Sequence, residues 1–464
     1  MSTLPKQLRP HRLQCPLLLS TLLLALLATG CDLFADNEMP STALDDELHD
    51  QLQEAADGAG IDFFLLPASE DFSRIPQDPN NPLTADKVAL GKVLFQETGL
   101  LTDPKRPEGR FTASCASCHH AQAGFQANLP QGIGDGGIGF GQFGEERRND
   151  PAYGTDLDVQ PIRSPTTLNS AYQRLMLWNG QFGAVGDNIG TEAQWTEGTP
   201  KAVNHLGFHG LESQAIGSLS VHRMATIDSS LVYDNATYRQ LFAAAFAGVP
   251  EQERITVKHV GLALAAYERT LLANSSPFQR WLRGETGAMT AQEKRGAVLF
   301  FGKAGCVGCH TGPALNSETF HALGMDDLAG AGVYGTFSAA IQEATRRGRG
   351  GFTQRAADDY KFKTPQLYNL TDSPFYGHGA QFHSLEEVVV YKNRAEASQH
   401  DVPEAQLAAE FKPLGLTEQE VADLVAFLKD ALYDPDLMRY VPESLPTGQC
   451  FPVNDATARQ DLGC

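Results

Sequence analysis

Two short segments of the chain carry residues whose types and spacing could do chemistry: Cys115-Ala-Ser-Cys118-His119 and Cys306-Val-Gly-Cys309-His310. Two thiols three positions apart on one turn can reach the two vinyl groups of a single porphyrin. The adjacent histidine then lies under the iron and supplies its proximal imidazole. Each segment therefore reads as a covalent c-type haem site, with Cys115 and Cys118 or Cys306 and Cys309 as attachment points and His119 or His310 as iron ligand. A structural zinc would draw four ligands from two such pairs, but these pairs lie far apart and each has its own histidine. A thioredoxin-like pair would not need the histidine and would sit in a βαβ unit.

The elements that must hold these motifs repeat along the chain. Leu83-Thr84-Ala85 leads into Gly91-Lys-Val-Leu-Phe95, and Met289-Thr290-Ala291 leads into Gly296-Ala-Val-Leu-Phe300. Both read as helices with a Thr N-cap, the second with a Thr290/Glu293 capping box. Further on, Arg163-Ser-Pro-Thr-Thr-Leu-Asn169 echoes Lys363-Thr-Pro-Gln-Leu-Tyr-Asn369, and Trp178-Asn-Gly-Gln-Phe182 echoes His378-Gly-Ala-Gln-Phe382. Leu211-Glu212 and Leu385-Glu386 follow in the same order. This is a duplicated unit with its seam near residue 285. Val257, Val260, Gly261, Leu264 and Leu271 share a helix face after Thr256. Thr417 and Glu420 open another helix with Val421, Leu424, Val425, Leu428 and Leu432 inward. No sustained strand alternation is present, and the Gly-rich stretches 131–144 and 346–351 read as loops. The expected fold is mainly α: two tandem cytochrome c-like helical domains, 84–285 and 286–440, each with one covalent haem. Gly134-Asp-Gly-Gly-Ile-Gly139 matches a dinucleotide fingerprint literally, but no strand precedes it and no apolar helix follows.

The chain has 464 residues, with 36 Lys and Arg against 56 Asp and Glu, a net charge of -20. That balance excludes a general nucleic-acid binder, which needs cations to neutralise phosphates. At the N-terminus, Lys6, Arg9 and Arg12 precede the apolar run Leu17–Leu27 and then Ala28-Thr29-Gly30-Cys31. The run is too short for a comfortable membrane span, so residues 1–30 read as a signal peptide. The cysteine after small residues resembles a bacterial lipobox, although Ala28 stands where Leu is usual. Cys31 would then carry lipid and anchor a periplasmic protein to a membrane. Residues 31–83, acidic or polar with scattered prolines, read as a tether and N-terminal extension. Cys450 and Cys464 in the tail, 441–464, are candidates for a disulfide in an exported protein.

From roughly residue 84 to 432 the chain resembles the bacterial di-haem cytochrome c peroxidases, including the MauG-type enzymes. The resemblance is carried, around the two haem motifs, by Leu90-Gly-Lys-Val-Leu-Phe95, Ser114-Cys-Ala-Ser-Cys-His119, Arg163-Ser-Pro-Thr, Trp178-Asn-Gly and Leu211-Glu-Ser-Gln-Ala215. Glu268-Arg-Thr270, Ser276-Pro-Phe278, Phe362-Lys-Thr-Pro365 and Leu385-Glu-Glu387 continue it. It implies that the N-terminal haem reacts with peroxide, that the C-terminal haem accepts electrons, and that Trp178 assists passage between them. Gln214 falls on the family's distal glutamine. The family's catalytic glutamate is absent: the segment reads Ser220-Val-His222-Arg223-Met224. We read His222 as the proton shuttle and Arg223 as the group that stabilises the departing oxygen. Direct ligation of iron by His222, or bonding of both residues to haem propionates, weighs about evenly against that reading.

Many family members place a removable histidine ligand in the loop after the first motif. The matching loop, Ile138-Gly-Phe-Gly-Gln-Phe143, has none, so a five-coordinate first haem is expected. His205 and His209, in an insertion over 184–210, are the alternatives. For the second haem the family places Met or Tyr shortly after Leu-Glu-Glu. Here the slot reads Val390-Tyr391-Lys392-Asn393, with Lys392 at the aligned position; Tyr391 is slightly favoured over His378, His383 or Met325. Arg163 stands where an Asn ligand of the family's calcium is expected, and a cation beside a cation is unfavourable, which leaves calcium in question.

The leading expectation is thus an enzyme that reduces hydrogen peroxide to water with electrons from a small c-type cytochrome or cupredoxin. A MauG-like oxidase modifying a side chain of a partner protein, and a non-catalytic electron-transfer cytochrome, are the rivals. A homodimer is compatible with the resemblance.

Overall fold

Capped helices position the site. In the computed structural model, which describes residues 41–227 and 230–464, they are α1 (Ser41–Ala55), α2 (Ala85–Gln96), α3 (Gly210–Val221), α4 (Val257–Glu268), α5 (Ala291–Phe301), α6 (Leu385–Arg394) and α7 (Glu418–Ala426). The side-chain oxygens of Thr84 and Thr256 accept from the third residue of α2 and α4, and Thr290, Ser384 and Thr417 each form a capping box with a glutamate three residues on. Each cap satisfies a backbone N–H that the helix leaves unpaired.

Two helix crossings repeat. Where α2 meets α4, a Cβ on Gly91 would lie 2.0 Å from the Ala263 carbonyl oxygen and 2.7 Å from Tyr267 Cβ. Where α5 meets α7, a Cβ on Gly296 would lie 2.0 Å from the Asp423 carbonyl oxygen and 2.8 Å from Phe427 Cβ. Only glycine allows backbones this close. Aromatic rings fill the space beside each crossing: Phe95 against Tyr267 (5.3 Å between centroids) and Phe300 against Phe427 (5.4 Å). The correspondence continues beyond the helices. Asn169 and Asn369 both adopt left-handed backbone and donate their N–H to Leu271 and Leu432. Met176 bridges Phe182, and Tyr376 bridges Phe382.

One continuous apolar core draws on both halves. The only strands among the described residues are two-residue pairs: β1 (Gly137–Ile138) with β2 (Arg148–Asn149), and β3 (Phe320–His321) with β4 (Phe362–Lys363), both antiparallel. No helix among the described residues is long and apolar enough to cross a membrane.

Three stretches differ from their sequence reading or lie beyond reach. Residues 1–40, with the signal segment and Cys31, are outside the described residues. From residue 41 the extension is packed rather than a free tether. Leu44, Leu48 and Leu52 are buried on one face of α1, and Asp45 accepts from Trp281 Nε1 (2.7 Å) and pairs with Lys294 (2.6 Å). Four-residue spacing of leucines made that stripe, hidden in an acidic background. The stretch 346–351 runs into a short helix, Arg349–Thr353, where a Cβ on Gly350 would lie 2.0 Å from Asp359 Oδ1.

The C-terminal tail folds back on the first motif. Cys450 and Cys464 are bonded, Ala113 bridges Val453, and the Ser114 and Ser117 hydroxyls donate to the Pro452 carbonyl at 2.8 and 3.2 Å.

Gly296→Ala is expected to lower the unfolding free energy of the holoprotein by at least about 2 kcal/mol, since the new methyl meets backbone rather than a movable side chain. Gly287→Ala, where a Cβ meets nothing within 4 Å, should stay within about 0.5 kcal/mol of the parent. Denaturant titration of the two variants checks the difference.

Candidate haem centres and the seam between them

The second motif opens onto a cavity with about 2150 Å³ of atom-free space, part of it open to solvent. Cys306–Gly308 form a 3₁₀ turn, and Cys306, Cys309 and His310 line the cavity together with Phe300, Leu424 and Leu428. His310 Nδ1 donates to the Leu315 carbonyl at 2.8 Å. Burial pulls the pKa of His310 down to about 4. The ring is therefore neutral at pH 7, with its Nε2 lone pair available to a metal.

The first motif repeats this geometry. Cys115–Ser117 form the turn, His119 Nδ1 donates to the Phe125 carbonyl at 3.3 Å, and burial takes His119 to about 4. The loop after it approaches closely: a Cβ on Gly132 would sit 2.8 Å from Cys118 Sγ. Neither cysteine pair is disulfide-bonded. Burial pushes the Cys115, Cys118 and Cys306 thiols up to about 12. Such thiols do not suit a thioredoxin-like nucleophile. On α3, Gln214 Oε1 is buried with no hydrogen-bond partner among the described residues. Paired thiols and an oriented neutral imidazole fit a covalent haem at each motif, joined at the second by an apolar cavity.

Around the first motif the structure separates two adjacent residues. His222 caps the C-terminus of α3, and its Nδ1 lies 2.9 Å from Asp158 Oδ2. Burial opposes protonation of His222, but the Asp158 charge and hydrogen bond outweigh it and the opposing Arg223, so its pKa is raised above 6.5. The charge of His222 is felt at His119. Arg223, with φ 62°, turns elsewhere: its guanidinium pairs with buried Asp135 and donates to the Asp156 carbonyl at 2.9 Å. Asp135 also accepts from the Tyr153 hydroxyl at 2.7 Å. Arg223 is therefore a brace holding the 135–158 loop, not a free donor for a departing oxygen. Asp158 and Asp135 were missed from sequence, since nothing in the chain announces a partner 64 or 88 residues away. His205 is also committed, its Nε2 lying 2.9 Å from the Trp195 carbonyl.

The halves meet through a reciprocal exchange. Arg163 N–H donates to the His378 carbonyl (2.9 Å), and Lys363 N–H donates to the Trp178 carbonyl (2.7 Å). Trp178 lines the cavity of the second motif, and its indole N–H donates to the Arg163 carbonyl at 2.8 Å. The Arg163 side chain, 2% exposed, donates to the Leu129 carbonyl (2.7 Å), Gln126 Oε1 (2.9 Å), the Ala127 carbonyl (3.4 Å) and Ser373 Oγ (2.7 Å). No carboxylate pairs with it among the described residues, and burial lowers its pKa to about 9. A guanidinium thus sits among oxygens at the position where calcium was in question.

Tyr391 does not line the second cavity. Its hydroxyl donates to the Leu323 carbonyl at 2.6 Å, and its ring packs between Phe382 and Phe411. This moves the sixth-ligand assignment off Tyr391. The next residue on α6, Lys392, faces the cavity, as does Met325.

A family described as di-haem cytochrome c peroxidase matches residues 85–287. The methylamine utilization protein MauG of Methylorubrum extorquens is 30% identical over 363 residues, 78% of this chain and 82% of that protein. Cytochrome-c peroxidase IdrP1 of Denitromonas iodatirespirans is 32% identical over 375 residues, 76% and 84% respectively. Among solved structures, a MauG-like protein associated with microbial copper homeostasis aligns with TM-score 0.56 and 25% identity over 80% of this chain and 96% of that one.

Arg163→Met keeps the bulk but strands the oxygens around the guanidinium. It is expected to lower the unfolding free energy by about 2–3 kcal/mol, read by denaturant titration of protein with haem still attached.

Proposed function

This chain belongs to the di-haem cytochrome c peroxidase family, and on that premise we propose that it reduces hydrogen peroxide to water, consuming two electrons and two protons per peroxide. The observation that carries the reading is the His222–Asp158 pair beside the first attachment motif (2.9 Å). Haem held by Cys115, Cys118 and His119 supplies, when bound, the iron at which the O–O bond is reduced. The protein supplies the proton handling. With its Nδ1–H held by Asp158, neutral His222 presents a lone pair at Nε2. That atom takes the first proton from peroxide and returns it to the departing oxygen. Gln214 offers an amide whose carbonyl oxygen has no protein partner, suited to hold the peroxide hydroxyl.

Electrons come from a small c-type cytochrome or cupredoxin. They enter at the His310 motif and pass Trp178, which the Arg163 carbonyl holds at the seam, on the way to the His119 motif. The basic N-terminal residues, the apolar run and Cys31 support export to the periplasm with a lipid anchor.

A second reading is favoured by the MauG and MauG-like relatives: peroxide drives oxidation of a side chain on a partner protein. Steady-state peroxide consumption with reduced cytochrome c separates the two, because the oxidase reading requires little turnover without the partner.

His222→Ala is expected to slow the reaction with peroxide by about 10²–10⁴-fold. Asp158→Asn removes the charge that favours imidazolium, so the pKa of His222 falls and its base form survives to lower pH. The acid limb of the rate profile should then move to lower pH in stopped-flow measurements. An unmoved limb together with an unchanged His222→Ala rate would remove the acid–base assignment.

A further inference from the structure

We propose that Lys392 is the sixth ligand of the iron held by His310. This rests on the second motif carrying haem, and on which donor atoms around that cavity are already spoken for.

Most of the cavity's donors have protein partners. The His378 ring stacks on Phe362 (3.7 Å between centroids), and its Nε2 lies 3.3 Å from Asp327 Oδ1. His321 Nε2 is 2.8 Å from Thr319 Oγ1. The Tyr376 hydroxyl donates to the Leu370 carbonyl at 3.0 Å, and Gln399 Nε2 donates to Asp327 at 2.7 Å. His383, the other histidine nearby in sequence, is exposed and outside the cavity. Lys392 and Met325 remain. Neither makes a hydrogen bond or ion pair among the described residues, and both line the cavity with Cys306, Cys309 and His310.

These two are not equivalent. A thioether is apolar and needs no partner in an apolar cavity. An amine there is costly unless something accepts from it or binds it. Lys392 also stands on a rigid support. Its helix is opened by the Ser384/Glu387 capping box. The neighbouring Asn393 side chain both donates to the Leu416 carbonyl and accepts from the Leu416 N–H, each at 2.9 Å. Met325 sits instead on a loop, its sulfur beside Gly377.

Ligation is a substitution of a proton by iron. The ammonium N–H bond breaks, the proton leaves to solvent, and the nitrogen lone pair forms the bond to iron. No oxidation state changes. An amine at this position closes the second iron to peroxide and leaves the first as the reactive one. It also holds the second haem at a lower potential than a methionine would.

The test uses the full-length ferric holoprotein, by electron paramagnetic resonance and near-infrared magnetic circular dichroism. The expected parent spectrum contains one low-spin haem with an amine–imidazole charge-transfer band; a thioether–imidazole band at that haem overturns the proposal without any variant. Lys392→Ala and Lys392→Arg should each lose the amine signal, converting that haem to high spin or to the thioether spectrum of Met325. Met325→Leu should keep it. Survival of the amine–imidazole signal in Lys392→Ala, or its loss in Met325→Leu, also overturns the proposal. A pyridine haemochrome count of two per chain with an unchanged Lys392→Ala spectrum sinks the ligand assignment alone. A count below two in the parent sinks the peroxidase reading with it.

Discussion

The structure depends on a pair of backbone hydrogen bonds exchanged across the seam. Positions 163 and 363 are equivalent in the two repeats, as are 178 and 378. Arg163 donates to His378 and Lys363 donates to Trp178, at 2.9 and 2.7 Å. The contact is therefore a two-fold exchange within one chain, the intramolecular counterpart of an isologous dimer interface. Its consequence is chemical. The same bonds that join the repeats place Trp178 against the cavity of the second motif, and the Arg163 carbonyl fixes the indole's orientation. Slipping the register by one residue would break both bonds and turn Trp178 away.

The interior around that seam is cationic, although the chain as a whole is strongly acidic. Arg163 is held by carbonyl, amide and hydroxyl oxygens, and Lys363 donates to Gln173 and to the Leu175 carbonyl. Burial lowers Lys363 to about 7. Neutral oxygens satisfy these donors without the second desolvated charge that a buried carboxylate would add. By contrast, Arg269 is paired in the dry interior with Glu212 at 2.6 Å, a clamp between α4 and α3.

Two pairs of sequence neighbours show how local geometry assigns roles. His222 and Arg223 stand at the end of α3, where the chain turns into left-handed backbone, so their side chains reach different aspartates on the 135–158 loop. Tyr391 and Lys392 stand within α6, where successive side chains diverge by about 100°. Only one of them can face the cavity, and it is Lys392. In both pairs, residue type alone made either member a credible participant.

What the sequence determined by itself was everything governed by short spacing. The two attachment motifs, the capped helices, the repeat at corresponding positions and the helical class all follow from residues within one or two turns of each other, whose relative placement the backbone dictates. The resemblance to a family then implied the reactive and electron-accepting ends. Tertiary structure decided the rest. It supplied Asp158 to His222, took Arg223 for Asp135, turned Tyr391 into the core, surrounded Arg163 with oxygens and folded α1 against α5. Each of these is a contact between segments distant in the chain. Its energy depends on which group is buried against which, and that is set only when the helices cross at Gly91 and Gly296 and the seam closes.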